Sequence, residues 1–342
     1  MFNNKTILVT GGTGSFGKEF IKLVFEKYKP KKVIVFSRDE LKQFEMQEDY
    51  PMSNKNFPIR YFIGDIRDAA RLNMAFNDVD IVVHAAALKQ VPATEYNPFE
   101  AVKTNILGTQ NVINAAIENE VKIVLGLSTD KAAAPINLYG ATKLTSDKLF
   151  ISSNNYTGKN KTKFSVVRYG NVMGSRGSVI PVFLEKRRAK TLPITHEEMT
   201  RFSITLEEGS KFVLDCIERM WGGEIFVPKI PSYRILDVAK AIDSNAKIKI
   251  TGIRPGEKLH EIMITKHDSI NTVEFEKYYA ILPNSIYVDI HKGNYYDRVS
   301  NEKHKPCEPN FCYSSDKNEN FLTVEAIKNL IIKNVPNGES IK

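Results

Sequence analysis

Tyr139 and Lys143 stand four residues apart, a spacing that places both on one face of a helix. Just before them, where a strand should end, runs Ser128-Thr129-Asp130-Lys131. A phenol can take a proton from a hydroxyl while hydride leaves the carbon that bears it. An unperturbed Tyr has a pKa of about 10 and is a poor base at neutral pH. A neighbouring ammonium favours the phenolate, so Lys143 is expected to lower that value. Asp130 and Lys131 add an acid and a base for a second proton transfer. The constellation reads as oxidation of a hydroxyl followed by a further acid–base step.

A hydride needs an acceptor. Gly11-Gly12-Thr13-Gly14-Ser15-Phe16-Gly17 follows the first apolar run and opens the first helix-like stretch. It fits G-x-G-x-x-G through Gly12, Gly14 and Gly17, and also a wider spacing through Gly11, Gly14 and Gly17. Such a turn lets a backbone approach a pyrophosphate at a helix N-terminus. The plainer alternative is a tight turn that needs only glycine's φ freedom. NAD sites usually place an acid about twenty residues on, at the end of the second strand. Here Ser37 and Arg38 follow Phe36, and a hydroxyl with a guanidinium suits a 2′-phosphate. Asp39 and Glu40 follow closely, yet the balance favours NADP. A bound nicotinamide cation would favour the Tyr139 phenolate further.

Asp65, after the third apolar run, is a candidate for the adenine amine, or else a helix cap or turn residue. His84-Ala85-Ala86-Ala87 ends the fourth run, and small side chains there admit a ribose and phosphate. Lys89 could reach the cofactor or an anionic substrate, or lie solvated. His84, on an apolar strand, reads as a satisfied core histidine.

These groups need a frame. Apolar runs at Thr6–Val9, Lys32–Phe36, Ile59–Phe62, Asp80–His84, Ile123–Leu127 and Phe164–Val167 alternate with helix-like stretches. The latter are Phe16–Tyr28, Arg67–Phe76, Phe99–Glu118 and Leu138–Ser152. Continuous apolar strands separated by amphipathic helices predict an α/β fold with a doubly wound parallel sheet. Residues 1–170 are expected to form this dinucleotide-binding domain. Residues 171–342 are expected to form a smaller substrate lobe, with some elements returning to the sheet. Helices are predicted at Leu206–Arg219 and Ile235–Ala241, and an added strand within Val273–Ser285. Residues from about Asn294 to Asn320 read as turn-like, and the last few as frayed.

The 342 residues suffice for such a core, and the +8 formal charge is spread rather than gathered in a tail. An anionic ligand fits that excess; no nucleic-acid recognition motif accompanies it. Cys216, Cys307 and Cys312 make neither an even disulfide framework nor a metal spacing, which suits a reducing cytoplasm. No metal site is expected. There is no signal peptide and no apolar run of membrane-spanning length.

Gly11–Gly17, the Ser-Thr-Asp run, Tyr139-x-x-x-Lys143 and Arg168-Tyr169-Gly170-Asn171-Val172 resemble an extended short-chain dehydrogenase/reductase (Rossmann fold). Within it, the chain resembles the inverting UDP-N-acetylglucosamine 4,6-dehydratases of the pseudaminic acid pathway. Further residues carrying this are His84 to Lys89, Ser128 to Ala133, Pro135 to Lys143, Gly174 to Val179, Met199 to Phe202 and Ile253 to Lys258. The likeness runs from residue 5 to about 282, returns at Tyr313-Ser314-Ser315, and is weakest between about 284 and 310.

The resemblance implies roles. Retaining sugar dehydratases carry Thr-Asp-Glu where this chain reads Thr129-Asp130-Lys131. Lys131 then becomes the C5 base, Asp130 the acid that helps water leave C6, and Thr129 a partner of the C4 oxygen. A Lys serves as base only if its pKa falls. Tyr139 removes the C4 hydroxyl proton, and reprotonation of C5 from the opposite face inverts that centre. Gly11, Thr13, Gly14, Ser15, Phe16, Gly17, Ser37, Arg38, Lys42, Asp65, Ile66, Ala86, Lys89, Tyr139 and Lys143 would hold NADP. Lys89, Asn171, Ser178, Val179, Arg201, Arg254 and Glu257 would hold UDP-N-acetylglucosamine, Arg suiting a diphosphate. The implied product is UDP-2-acetamido-2,6-dideoxy-beta-L-arabino-hex-4-ulose, the first step towards pseudaminic acid, with flagellin or a surface polysaccharide open as its destination. The family also implies a closed homo-oligomer, hexameric or built from dimers. The alternatives are a C5-retaining dehydratase, an NADP-dependent nucleotide-sugar epimerase and a catalytically silent NADP-binding regulator. Asp130 and Lys131 speak against the epimerase, which has no use for an acid–base pair at C5 and C6. A membrane-anchored polymer-pathway dehydratase would need spanning segments that the sequence lacks.

Overall fold

The computed structural model describes residues 1–158, 161–175, 178–283 and 292–341. Arg176 and Gly177 of the Gly174–Val179 motif, and Ser285, lie outside the described residues.

Ile7, Leu8, Val9, Val33, Ile34, Val35, Val82, Val83, Val124 and Leu125 are all buried, which demands cover on both faces of their strands. The strands are β1 (Thr6–Thr10), β2 (Lys32–Ser37), β3 (Ile59–Ile63), β4 (Ile81–His84), β5 (Ile123–Thr129) and β6 (Lys163–Tyr169), where the apolar runs predict them. After them come β7 (Asn171–Val172), β8 (Thr191–Ile194), β9 (Thr200–Ile204), β10 (Ile225–Pro228), β11 (Ser232–Arg234) and β12 (Lys247–Ile250). The last are β13 (Ile262–Ile264), β14 (Thr272–Glu274), β15 (Tyr278–Ile281), β16 (Lys305–Pro306) and β17 (Tyr313–Ser314). The main sheet runs β16-β14-β15-β10-β6-β5-β4-β1-β2-β3. From β3 to β10 all neighbours are parallel; β15, β14 and β16 join antiparallel. The order reverses between β1 and β4, so the crevice at their carboxyl ends is the topological switch point.

The helices are α1 (Ser15–Lys27), α2 (Glu40–Asp49), α3 (Ala69–Ala75), α4 (Val91–Tyr96), α5 (Pro98–Val102), α6 (Gly108–Glu118), α7 (Leu138–Ser153), α8 (Val179–Lys186), α9 (Leu206–Arg219), α10 (Ile235–Ile242) and α11 (Val324–Asn334). Four of them, α2, α4, α8 and α11, have no counterpart among the helices expected from the sequence. Helix α2 buries only Gln43 and Met46 and leaves Leu41 and Phe44 exposed, so it has no apolar stripe. Helix α4 is a short segment opened by a proline. The single helix expected over Phe99–Glu118 is three segments: α5, a π-helical turn at Lys103–Leu107, and α6.

Beyond Val172 the chain builds a second apolar cluster from Ile180, Phe183, Leu192, Ile194, Val238, Ile242, Ile327 and Ile331. It then sends β10, β14, β15 and β16 back to the main sheet. The apolar aromatic segment from Val273 thus makes an antiparallel pair, β14 with β15. The frayed end expected from sequence differs from what is found, because Val335 and Ile341 pack into the second cluster.

Candidate active site

Helix α1 begins directly after the glycine turn. Gly11 has φ +67°, and a Cβ there would lie 3.0 Å from the Ala86 backbone. A Cβ on Gly17 would lie 2.5 Å from Gly12, so α1 packs against the turn only because both lack side chains. The left-handed residue is Gly11, which favours the wider of the two spacings.

At the end of β2 the Ser37 hydroxyl meets Thr13 Oγ1 at 2.8 Å. The nearby acid, Asp39, is engaged otherwise: it caps α2 by accepting from the Lys42 backbone at 3.0 Å and pairs with the Lys42 ammonium. Asp65 accepts from Arg67 N at 2.9 Å and from Arg67 Nη2 at 2.7 Å, and Arg38 Nη1 reaches it at 3.4 Å. Burial alone would raise the Asp65 pKa, but its hydrogen bonds to Arg67 outweigh that and hold it below the ordinary value. Three cations, Arg38, Lys42 and Arg67, therefore ring this end of the crevice. In the sequence Arg67 reads only as the start of a helix-like stretch, and no motif marks it.

His84 closes β4. Its Nδ1 meets Thr10 Oγ1 at 2.8 Å and its Nε2 meets Thr109 Oγ1 at 3.4 Å. Burial, with help from the Lys143 charge, lowers its pKa to about 3, so it is a neutral core side chain. Asn105, on the π-helical turn, is another buried anchor. It accepts from Leu88 N at 2.8 Å and donates to Leu88 O at 2.9 Å and to Thr142 Oγ1 at 3.0 Å.

The reacting groups sit where β5 stops. A 3-10 turn, Asp130–Ala132, follows Thr129, and Asn137 caps α7 by accepting from Gly140 N at 2.8 Å. Thr129 Oγ1 and Lys131 Nζ both donate to Asp130 Oδ1, at 2.9 and 3.0 Å. The Thr129 hydroxyl and the Tyr139 phenol line the same cavity. Burial, only partly offset by the Lys131 charge, pushes the Tyr139 pKa up to about 12. The lowering expected from sequence is thus absent in the chain alone, and the helpful ammonium is Lys131 rather than Lys143. Burial lowers the Lys143 pKa against the pull of Asp147. Asp147 in turn accepts from Ser128 Oγ at 2.7 Å and from Arg168 at 3.2 Å.

Lys131 also departs from expectation. Burial would lower its pKa, but Asp130 and Glu261 outweigh both burial and Arg201, so the net direction is upward. Glu261 lies 3.1 Å from Lys131 Nζ. No sequence motif marks it; it stands three residues beyond the Ile253–Lys258 run.

Arg201 donates to Thr200 O at 2.7 Å and Leu259 O at 3.0 Å, which aims its other nitrogens at Glu257 (3.4 Å) and Glu261 (3.9 Å). Arg254 lies 3.8 Å from Glu257. Burial raises the Tyr233 pKa against the Arg201 charge and the Asn171 side chain. Burial lowers the Lys89 pKa.

One open cavity of about 1560 Å³ gathers these groups. Gly11, Thr13, Gly14, Ser15, Phe16, Gly17, Ser37, Arg38, Lys42, Asp65, Ile66, Ala86, Lys89, Thr129, Lys131, Tyr139 and Lys143 line it. So do Asn171, Ser178, Val179, Arg201, Arg254, Glu257 and Glu261. Asp130 alone of the sequence-derived residues lies behind the wall, fully buried. A cavity this size exceeds an ordinary small-ligand pocket and has room for two extended ligands.

Residues 7–283 match the family model described as "Polysaccharide biosynthesis protein". The chain belongs to that family. Over 97% of its length, and 98% of the relative's, it is 56% identical to a UDP-N-acetylglucosamine 4,6-dehydratase (inverting) of Campylobacter jejuni subsp. jejuni serotype O:23/36 (strain 81-176). A UDP-glucose 4-epimerase of Rickettsia canadensis (strain McKiel) is 39% identical over 97% of this chain and 96% of its own. Among solved structures, Pen from Bacillus thuringiensis superposes with a TM-score of 0.86 at 40% identity, covering 97% of this chain and 98% of that one. The family's Rossmann-type sheet is thus the one described above. Among the described residues no group of His, Cys, Asp and Glu could hold a metal ion, and no helix is long and apolar enough to cross a membrane.

Proposed function

We propose that this chain is an NADP-dependent UDP-N-acetylglucosamine 4,6-dehydratase that inverts C5, giving UDP-2-acetamido-2,6-dideoxy-beta-L-arabino-hex-4-ulose. The observation that carries the reading is the contact of Lys131 Nζ with Asp130 Oδ1 at 3.0 Å, on a cavity wall that Thr129 and Tyr139 share. An enzyme that only oxidised C4 would have no use for that second pair. The 56% identical relative named as an inverting dehydratase supports it.

The residues present fit a dinucleotide. The glycine cradle around Gly11 and Gly17 is one that a Cβ would fill. Ser37, Arg38 and Lys42 offer a hydroxyl and two cations to a 2′-phosphate, and Asp39 is committed as a helix cap. NADP+, when bound, supplies an acceptor for the C4 hydride and a donor that returns it to C6. Tyr139 takes the C4 hydroxyl proton while Thr129 holds the C4 oxygen. The C4 ketone acidifies C5–H, because the carbanion is delocalised as an enolate. Lys131 removes that proton, and Asp130, behind the wall, supplies one to the departing C6 oxygen by way of Lys131. Arg201 and Arg254 would hold the diphosphate and Glu257 the ribose, with Asn171, Ser178, Val179 and Lys89 along the sugar. On this reading residues 1–170 carry the cofactor and 171–342 the nucleotide sugar.

A closed homo-oligomer belongs to the same proposal. Tyr96, Phe99 and Leu107 are large apolar side chains left exposed on successive helical segments. So does a cytoplasmic location.

The relative named as a UDP-glucose 4-epimerase favours a second reading, simple 4-epimerisation. Incubation with UDP-N-acetylglucosamine in deuterated water, followed by NMR, separates the two. The expected product is a 4-keto-6-deoxy sugar of L-arabino geometry with deuterium at C5. A D-xylo product would overturn the inversion. A C4 epimer that keeps its C6 oxygen would overturn the dehydration.

A further inference from the structure

Glu261 is a charged side chain that the steps above do not use. It is 2% exposed, yet it lines the cavity that Asp130 does not reach. Its Oε1 lies 3.1 Å from Lys131 Nζ and 3.9 Å from Arg201 Nε. Its Oε2 is buried without a hydrogen-bond partner among the described residues. Its backbone is clamped: Glu261 N donates to Ser315 Oγ at 2.9 Å, and Glu261 O accepts from Ser315 N at 2.8 Å. A site that needed only packing would be filled as well by an apolar side chain, because burying a carboxylate is costly. A carboxylate held rigidly there points to a task for its charge and shape.

Lys131 is suspended between two carboxylates, Asp130 at 3.0 Å on its own turn and Glu261 at 3.1 Å on a distant segment. Without the second, the flexible Lys131 stem is free to fold onto Asp130, away from the cavity. Arg201, Lys258, Tyr139 and Tyr233 are the other charged or titratable groups facing this cluster. We infer that Glu261 is a positioning residue for the C5 proton transfer, holding the Lys131 amine at the cavity wall between substrate and Asp130. The inference rests on the reading of Lys131 as the C5 base.

The proton balance shows what that position does. At rest the pair is an ammonium and a carboxylate. One proton passes from Lys131 Nζ to Asp130 Oδ1, which leaves a neutral amine and a carboxylic acid. The amine takes the C5 proton. The resulting ammonium gives a proton to the C6 oxygen and is reprotonated by the Asp130 acid behind it, the C6–O bond breaks, and water leaves. The pair ends as ammonium and carboxylate, as it began, and Glu261 neither gains nor loses a proton. Lys131 therefore has to face Asp130 and C5 in the same step, and a fixed anion on its far side sets that geometry.

The test compares wild type, Glu261→Gln, Glu261→Ala and Lys131→Ala, each loaded with NADP, on UDP-N-acetylglucosamine in deuterated water. Glu261→Gln keeps an acceptor for Lys131 and should lose about tenfold in C5 deuterium incorporation; Glu261→Ala should lose about a hundredfold or more. KM should change less than about threefold in both. Because C4 oxidation precedes the step affected, reduced cofactor should accumulate in a single turnover of either variant, a gain of signal that general damage cannot produce. Wild-type C5 incorporation in either variant overturns the inference, and so does reduced-cofactor formation falling in parallel with incorporation. Should the Ala variant fail to fold, the Gln variant carries the same two readouts. If Lys131→Ala still incorporates deuterium at C5, the reading of Lys131 fails; if it does not and the Glu261 variants match wild type, only the inference about Glu261 fails.

Discussion

Asn137 Nδ2 donates to Gly256 O at 2.7 Å, so the residue that caps helix α7 also holds the loop bearing Arg254 and Glu257. Lys258 Nζ donates to Ala133 O at 2.7 Å and adds a second tie. The turn that carries Asp130 and Lys131 and the loop that would meet the nucleotide are therefore one mechanical unit. Gly256, at φ +74°, lets its loop take that shape.

Replacing Asn137 should weaken both ends of this tie. Asn137→Ala loses a helix cap and an inter-loop hydrogen bond, each worth about 1 kcal/mol. The expected result is a melting temperature lower by a few degrees and a KM for the UDP-sugar raised several-fold, while NADP affinity stays put. Calorimetry, steady-state kinetics and a cofactor titration check it. An unchanged KM would show that the loop holds its place without Asn137.

On the proposed reading, the preference for NADP turns on Arg38. Its side chain is half exposed, so solvent weakens what one charge contributes there. Arg38→Ala is expected to weaken NADP binding about tenfold and NAD binding hardly at all. Fluorescence titration of both nucleotides reads this directly. Equal losses, or a wild-type chain that prefers NAD, would remove the case for a 2′-phosphate site.

Much of this was readable in the residues because it depends on short, strict patterns. Tyr139-x-x-x-Lys143 needs only helical spacing, and the β1 turn needs only glycines at close approach. The central strands are continuous apolar runs because both sheet faces are covered. Other features depend on distance in space. Glu261 meets Lys131 only after the chain has crossed the second lobe and returned, and no local spacing marks that meeting. Helix α2 was illegible because it packs lightly and carries no apolar stripe. The protonation of Tyr139 and Lys131 was misjudged for a related reason. Burial and the partners Asp130, Glu261 and Asp147 decide it, and the sequence shows none of their distances.

His84 makes a prediction about acid stability. Its folded pKa, about 3, is depressed from 6.5 because burial disfavours the charged ring. The unfolded chain therefore binds a proton below about pH 6.5 that the folded chain refuses, and stability present above that pH is lost as pH falls. The linkage slope is about 1.4 kcal/mol per pH unit, or roughly 2 kcal/mol between pH 6.5 and pH 5. Denaturant unfolding of wild type and His84→Gln at pH 7 and pH 5 isolates it. The variant, though less stable at pH 7, should lose less on acidification; parallel losses would mean that His84 is not the group refusing the proton.

Tyr139 makes the last prediction, about alkaline activation. Burial holds its pKa at about 12 in the chain alone, with the Lys131 charge and the Thr129 hydroxyl as the lowering influences and Asp130 and Asp147 acting against them. A base has to be deprotonated, so the fraction of competent enzyme rises tenfold per pH unit until the pKa in the complex is reached. Turnover limited by C4 oxidation should therefore climb through the neutral range and level off at the pKa that prevails with cofactor bound. Lys131→Met removes the ammonium that favours the phenolate, so hydride transfer to NADP should need a more alkaline solution in that variant. Tyr139→Phe should lose about 10²–10⁴-fold at every pH while still binding UDP-sugar and NADP. Single-turnover formation of reduced cofactor across pH 6 to 10 measures all three proteins on one scale. A flat profile in wild type, with Tyr139→Phe nearly as active, would pass the proton abstraction to another group, and Thr129 is a hydroxyl that lines the same cavity.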